Sequence, residues 1–315
     1  MYHKKTTYKL SIGVDISKKY LDIYIHETNF SKRYENTDEG ISLFLSENSK
    51  PDVVLFEASG GYERLFLQKL FTADWPICLI NPRQVRDYAK SKGIFAKTDV
   101  LDAKILAEFP TAIPVSLINT LQHFELKDLL QRRYQLKDAI KLEKQHLSQT
   151  NTKTLYNKIS EIIDVLQKQL KEIDILVSDY ISECSDLQER VEIITSIKGI
   201  GLNTAQIMVS EMPELGTINH GAAACLLGVA PFAHDSGYMV GKRHIRGGRK
   251  KMRCALYMAT LTAIRYNKDI SIFYQRLIKA GKSFKQAITA SMRKIIILTN
   301  ALLRDGRYWS EKTPI

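Results

Sequence analysis

The sequence predicts an N-terminal α/β domain, then a pair of long helices, then a basic helical domain. Three observations support this division: strands and helices alternate up to about residue 120, heptad-spaced apolar residues follow, and cationic residues concentrate after residue 193. With 315 residues and 44% hydrophobic content, the chain is long enough for two or three domains with cores of their own. The predicted boundaries are 1–120, 121–192 and 193–315.

The first domain begins with short strands. They are predicted at 8–17, 21–26 and about 32–34, and their close succession indicates an antiparallel meander. In the first strand apolar residues alternate around Gly13 and Asp15, which places Asp15 in the middle of a strand.

Helices then alternate with strands. A helix is predicted near 39–47, a strand at 52–57 that ends on Glu57, a helix through about residue 70, a strand at 78–80 and a helix at 83–90. Three strands followed by helix, strand, helix, strand and helix is the order of a ribonuclease-H-like fold. In such a sheet the strand ends and the turns after them collect the functional residues.

Two acids, Asp99 and Asp102, begin a further predicted helix. At this spacing they share one face, with Cβ atoms about 5–6 Å apart. Carboxylates that close repel each other unless a cation lies between them or one is protonated. An acidic first turn stabilised by the helix dipole is the alternative interpretation. Because Asp15 and Glu57 lie on strands of the same predicted sheet, the four acids are expected to converge on a hard cation such as Mg²⁺.

Four segments resemble one known family. The chain resembles the DEDD transposases of insertion-sequence family one hundred and ten at GVDIS (13–17), FEASGGY (56–62), NPRQVR (81–86) and KTDVLDA (97–103). Relatives of that family include the Piv site-specific DNA invertases. The resemblance extends over nearly the whole chain. It implies a RuvC-like N-terminal domain in which four acids are catalytic and bind Mg²⁺ or Mn²⁺: Asp15, Glu57, Asp99 and Asp102.

The middle region has the apolar spacing of coiled-coil helices. A shorter seam, interrupted by Arg133 and Glu143, precedes a break at 149–152, where Asn151 or Thr152 is a candidate helix cap. The two helices are expected to be antiparallel and to bury their seams against each other or against a second subunit. The second seam is too long for the first to cover, which favours an intermolecular contact. Its residues are Ile159, Ile163, Leu166, Leu170, Ile173, Val177, Tyr180, Cys184, Leu187 and Val191.

The net charge of +12 comes from the C-terminal third. Residues 193–315 contain 19 Lys and Arg against 6 Asp and Glu, whereas residues 1–192 contain 27 against 28. Basic charge concentrated in one region indicates a polyanionic partner, most often nucleic acid. A basic surface that serves only solubility is the alternative.

The four cysteines lie far apart without any C-x-x-C pair, so we expect neither a zinc site nor disulfides, but buried thiols in a reducing cytoplasm. The N-terminus lacks an apolar signal region and no run of 18 apolar residues occurs, so export and membrane spanning are not expected.

Two segments of the basic domain are predicted to bind nucleic acid. In IKGIGLNTA, Lys198, Gly199 and Gly201 resemble the hairpin of a helix-hairpin-helix element, although an ordinary tight turn fits equally well. The segment 242–253 places eight Lys, Arg and His residues, one of them His244, around a Gly-Gly turn, before a helix predicted at 254–264. Its candidate phosphate contacts are Lys242, Arg243, Arg246, Arg249, Lys250, Lys251 and Arg253.

By sequence alone, Ser236 is a turn residue in a polar loop. The resemblance implies more, because this loop and the segments around it match the family pattern G-x-x-P…S-G…G…G-G-R…R…L-Y-M-A, whose serine is the nucleophile. His234, Tyr238 and His244 are rival nucleophiles or acid/base groups. The resemblance also implies that acids and serine come from different subunits of a homo-oligomer, a dimer or a synaptic tetramer. It further implies donor and target DNA, a guide RNA transcribed from the element's ends, and a place at the nucleoid of a bacterial or archaeal cell.

Together these observations predict a DNA transposase or site-specific recombinase. One alternative is a Holliday-junction resolvase or other structure-specific nuclease, which would use the same acids with water as the nucleophile. Another is a non-catalytic nucleic-acid-binding protein whose acids are structural. The sequence does not separate a mobile-element transposase from a Piv-like invertase.

Overall fold

A computed structural model describes residues 8–96, 98–115, 117–118, 123–232, 236, 241 and 243–310. The chain divides into two compact units, Met1–Leu121 and Gln122–Ile315. The second unit contains both the predicted long helices and the predicted basic domain.

Unit 1 is a five-stranded sheet with helices, so the predicted α/β domain is confirmed. The strand order is β3-β2-β1-β4-β5; β1, β2 and β3 form the predicted antiparallel meander, whereas β4 runs parallel to β1 and to β5. This order is consistent with a ribonuclease-H-like fold. The elements are β1 (Ser11–Ile16), β2 (Tyr20–Ile25), β3 (Phe30–Glu35), α1 (Asp38–Glu47), β4 (Val53–Glu57), α2 (Arg64–Thr72), β5 (Ile77–Ile80), α3 (Pro82–Ser91) and α4 (Asp99–Ala112).

Helix α4 lies directly on β1 because Gly13 has no side chain. A Cβ atom at Gly13 would be 2.1 Å from the carbonyl oxygen of Ala103, well inside contact distance. Two residues earlier on β1, the buried Ser11 hydroxyl donates a 2.7 Å hydrogen bond to the Ala107 carbonyl. Since residue numbers fall along β1 as they rise along α4, the helix runs antiparallel to the strand. Its first turn therefore lies at the level of Asp15.

The described part of unit 2 is almost entirely helical, and its helices pack around an apolar core with members from Leu126 to Trp309. Its elements are α5 (Phe124–Ser148), α6 (Lys153–Glu183), α7 (Ser185–Ser196), α8 (Leu202–Glu211), α9 (His220–Leu227), β6 (Pro231–Phe232), β7 (His244–Ile245), α10 (Lys250–Tyr266), α11 (Lys268–Lys279) and α12 (Phe284–Asp305).

The predicted seam is the face that α6 and α7 turn towards the protein, and every one of its ten residues is buried or half-buried. Helix α5 packs against α6. A single helix along the whole seam is nevertheless the wrong expectation, because the backbone of Cys184 is extended (φ −113°, ψ 103°) and separates α6 from α7. Thr152 precedes α6 as predicted, but its side chain makes no capping hydrogen bond. A coiled-coil contact with a second subunit stays a prediction.

Arg133, which interrupts the first seam, is buried in unit 2 at 4% exposure. Its Nη1 donates a 2.6 Å hydrogen bond to Oε1 of the buried Gln206 on α8. A buried guanidinium is tolerated at an apolar position when polar partners accept its hydrogen bonds. The interruption therefore joins α5 to α8 instead of breaking the helix.

All four cysteines are free thiols, but the expectation that all are buried is wrong. Cys78 is buried on β5 and Cys184 is half-buried, whereas Cys225 on α9 and Cys254 on α10 are exposed, because they lie on the outward sides of their helices. Within the described ranges, no helix combines the length and the apolar character needed to cross a membrane.

Candidate active site

Asp15 and Glu57 lie side by side at the ends of two parallel strands. Val14 pairs with Phe56 in the β1–β4 register, so Asp15 and Glu57 are the next residues along each strand. Residues at matching positions of neighbouring strands point to the same face of a sheet. Both acids are half-buried. The fold therefore brings two of the predicted metal ligands to one edge.

The first turn of α4 supplies the other two acids. The Thr98 side chain accepts a 3.3 Å hydrogen bond from the Leu101 N–H and so caps the helix immediately before Asp99. Asp99 and Asp102 both lie in this turn, where the helix dipole stabilises negative charge. Because α4 runs antiparallel to β1, the turn reaches the strand end that bears Asp15.

The electrostatics of Asp15 show that the four acids share one region. Burial raises the pKa of Asp15, and the negative charges of Asp102, Asp99 and Glu57, in that order, raise it further, to about 6. A fifth acid, Asp22, adds the smallest contribution. Without a bound cation, this concentrated negative charge favours the protonated form of Asp15.

Asp22 and Arg33 are site residues that sequence reasoning missed. Asp22 faces Asp15 across the β1–β2 ladder and is buried at 5% exposure. Arg33, which is opposite Asp22 on β3, donates two hydrogen bonds to its carboxylate, at 2.8 and 3.0 Å. The same guanidinium donates to Asp99 at 3.2 Å. The available sequence indication was an acid among the apolar residues of the second strand, whereas its pairing with Arg33 depends on strand register.

The donor chemistry of this acidic site fits a hard divalent cation, since four carboxylates offer the oxygen ligands that Mg²⁺ and Mn²⁺ prefer. A cation would also reverse the repulsion that raises the pKa of Asp15. As placed, no three Asp, Glu, His or Cys side chains in the part of the chain that the structure describes are grouped as a complete metal site. The fold therefore brings the predicted ligands to one edge without a finished coordination shell.

Three of the predicted phosphate contacts are bound to the protein itself. Arg249 donates hydrogen bonds of 2.7 and 2.5 Å to the Glu214 carboxylate and one of 2.5 Å to the Glu211 carbonyl. Although burial alone would raise it, the pKa of Glu214 is lowered by Arg249. Lys251 donates to the Gln131 side chain, and Arg253 to the Gly247 carbonyl. These side chains hold the segment in place.

The other cations of the segment that the structure describes are exposed. Arg243, Arg246 and Lys250 are exposed, as is His244, whereas Lys242 lies outside the described residues. The turn before α10 has a packing reason, because a Cβ atom at Gly248 would be 2.3 Å from the Cα of Gly228.

The turn between α7 and α8 contains Lys198, Gly199 and Gly201. Gly199 has a φ of 100°, and a Cβ atom there would be 2.4 Å from the Cα of Ala263 on α10, so packing alone requires this glycine. Gly201 precedes α8 and has open space around it. Lys198 is exposed. Contact of this turn with phosphate stays a prediction.

Ser236 belongs to unit 2 and is exposed. Two of its rivals, His234 and Tyr238, lie outside the described residues. The four acids therefore lie in one unit of the chain and the predicted nucleophile in the other.

Known proteins resemble this chain along most of its length. A model of DEDD transposases of the IS110 type matches residues 12–154, and one described as "Transposase IS116/IS110/IS902 family" matches residues 191–275. The pilin gene-inverting proteins of Moraxella lacunata and Moraxella bovis are each 26% identical, over 96% of this chain and 98% of theirs. A 43.6 kDa protein of insertion element IS110 from Streptomyces coelicolor is 28% identical over 39% of this chain and 31% of its own length. The two family models match the acidic site and the basic segment respectively, and the chain belongs to the IS116/IS110/IS902 family of transposases, enzymes that cut and rejoin DNA.

Proposed function

We propose that this chain exchanges DNA strands with two sets of groups: Asp15, Glu57, Asp99 and Asp102, which hold Mg²⁺ or Mn²⁺, and Ser236, which is the nucleophile. The proposal rests on the convergence of the four acids at the ends of β1 and β4, beneath the first turn of α4. The pilin gene-inverting proteins, which match almost end to end, support DNA as the substrate.

Bound divalent metal would supply charge neutralisation for the phosphate oxygens of the scissile bond. The chain prepares that site by its own packing. Gly13 holds α4 against β1, the Thr98 cap fixes the first turn, and the Asp22–Arg33 pair faces Asp15 and Asp99. Ligands positioned this way need little rearrangement at the moment of reaction.

In the proposed step the Ser236 oxygen attacks a backbone phosphorus atom. A serine O–P bond forms as the bond from phosphorus to one deoxyribose oxygen breaks; the serine proton passes to a base, and the leaving oxygen takes up a proton. The ester preserves one phosphodiester bond. Attack by the hydroxyl of a new strand then restores Ser236 and joins the DNA without an external energy source.

Cations of unit 2 would hold the nucleic acid. We propose that phosphates of donor and target DNA are neutralised by Arg243, Arg246 and Lys250, with Lys242 and Lys198. Helices α6 and α7 are proposed to join the subunits of a homo-oligomer. A guide RNA, and a place at the nucleoid in the cytoplasm, rest on the resemblance to the family. Nucleic acid that copurifies with the protein would identify that RNA by sequencing.

Within this class, inversion is the second candidate, favoured by the nearly complete match to the pilin gene-inverting proteins. An invertase exchanges strands between two inverted copies within one DNA molecule, whereas a transposase joins an element to new target DNA. A plasmid that carries inverted copies of the element's ends separates the two outcomes.

The nucleophile is tested with a nicked DNA substrate that releases one strand after cleavage. Wild-type protein is expected to stay linked to DNA after denaturation, with the adduct mapped by peptide analysis to Ser236. Ser236→Ala is expected to form no adduct and to lose strand exchange while it still binds DNA. Ser178→Ala, a change of an exposed serine on α6, is the matched control.

An adduct in Ser236→Ala protein would place the nucleophile elsewhere, with Tyr238 tested next. Efficient cleavage by wild-type protein without any adduct would instead favour the junction resolvase, whose nucleophile is water.

A further inference from the structure

The end of α10, α11, the turn after it and the first half of α12 carry a second concentration of positive charge, separate from the predicted segments 198–201 and 242–253. Between residues 265 and 294 the chain has eight Lys and Arg and one acid, Asp269. Six of the eight cations are exposed: Arg265, Lys268, Arg276, Lys279, Lys282 and Lys285.

Two of these cations are gathered on one aromatic ring. Lys294 on α12 places its Nζ 4.6 Å from the ring centroid of Phe273 on α11, and the guanidinium carbon of Arg276 lies 5.3 Å from the same centroid. Cations are attracted to the face of an aromatic ring. Phe273 thus holds two like charges in one region where α11 packs on α12.

This arrangement is unfavourable for the protein alone. Burial lowers the pKa of Lys294 and the charge of Arg276 lowers it further, and both outweigh the opposing effect of Asp269. Neighbouring like charges repel unless an anion lies between them. Arg276 and Lys294 are therefore short of negative charge, which a bound phosphate group would supply.

We propose that Arg276 and Lys294 bind the phosphate backbone of a nucleic acid. Towards the turn between the helices, the exposed Lys279, Lys282 and Lys285 continue the row of cations, which suits a polymer of phosphates better than a single one. Since the proposal rests on the function proposed above, it adds a third binding surface to the same reaction. DNA and RNA share this chemistry and are separated by the test.

The test measures binding of a 30-base-pair DNA duplex and of an RNA hairpin by fluorescence anisotropy at several salt concentrations. For the nucleic acid that binds at Arg276 and Lys294, replacement of both residues by Gln is expected to reduce the slope of log affinity against log salt by about 2. Each phosphate contact contributes about 0.9 to this slope on duplex DNA. Arg304→Gln with Arg307→Gln removes the same charge elsewhere on unit 2 and is the matched control. Arg276→Lys is expected to keep the wild-type slope.

A loss on duplex DNA alone identifies DNA as the ligand, and a loss on the hairpin alone identifies RNA. Equal slopes for the double variant and its control would overturn the proposal. Because removal of Arg276 relieves repulsion, Arg276→Gln is also expected to have a melting temperature no lower than that of wild type. A lower melting temperature would show a structural role instead, if Arg276→Lys also lost as much binding as Arg276→Gln. Metal-dependent cleavage of DNA by wild-type protein tests the proposed function separately, since it does not depend on the binding or melting results of these variants.

Discussion

The acidic site of unit 1 and the basic segment of unit 2 both concentrate charge, but the fold treats the two concentrations differently. Asp15, Glu57 and the first turn of α4 come from distant parts of the sequence, and burial together with the neighbouring negative charges raises the pKa of Asp15. The basic residues of 242–253 are neighbours in sequence, yet Arg249 is paired with Glu214 and Arg253 with a carbonyl of the same segment.

The difference shows that charge density along a sequence does not by itself locate a site. A charged residue next to a tight turn often satisfies the backbone of that turn, as Arg253 does at Gly247. The four acids of unit 1 instead meet because strand register and helix packing bring distant residues together. They stay close despite their mutual repulsion because the packing around them fixes their positions.

Replacement of Gly13 by alanine tests how the acidic site is assembled and has the largest expected effect. The new Cβ would overlap the Ala103 carbonyl, so α4 must move away from β1, at a cost of about 3 kcal/mol in the free energy of unfolding. Urea unfolding measures the change. Gly201→Ala, at a position with open space, is the control and is expected to cost about 1 kcal/mol at most. Equal losses would show that the close approach of α4 does not depend on Gly13.

A second comparison separates structural from exposed cations in the basic segment. Arg249→Gln should lower the free energy of unfolding by about 1–3 kcal/mol, because it leaves Glu214 without its partner in a pair whose side chains are only 28% and 34% exposed. Lys250→Gln should leave stability unchanged and reduce the salt slope of DNA binding by about 1. The opposite pattern would mean that Arg249 contacts DNA and that its pairing with Glu214 contributes little.

The third prediction concerns pH. Since the pKa of Asp15 in the folded protein is about 6, above its ordinary value of 3.8, the folded state binds this proton more tightly than the unfolded state. Stability from this group is therefore full below about pH 4 and is lost as the pH rises to about 6. In EDTA, the free energy of unfolding of Asp15→Asn should rise relative to that of wild type by about 1–2 kcal/mol between pH 4 and pH 7. This value is reduced for the partial exposure of the group. A difference that stays constant with pH would show that Asp15 ionises normally.

Sequence reasoning predicted the strands, helices and meander of unit 1 because alternating apolar residues and the turns between elements leave local patterns. It placed Asp15 and Glu57 at strand positions of one sheet, and their convergence with α4 followed from the resemblance and the element order. Asp22 and Arg33 escaped it, because their pairing depends on the register of β2 against β3, which is not a local property. The pairing of Arg249 with Glu214 escaped it for the same reason, since 35 residues separate them.

Calorimetric titration with Mn²⁺ tests the central claim most directly, because it measures the acids as ligands without requiring DNA or strand exchange. Wild-type protein is expected to bind the metal. Asp99→Asn and Asp102→Asn are each expected to bind it at least about tenfold more weakly. Asp164→Asn, a change of an exposed acid on α6, should match wild type. Equal binding by wild type, both site variants and the control would contradict the assignment of the four acids as a metal site.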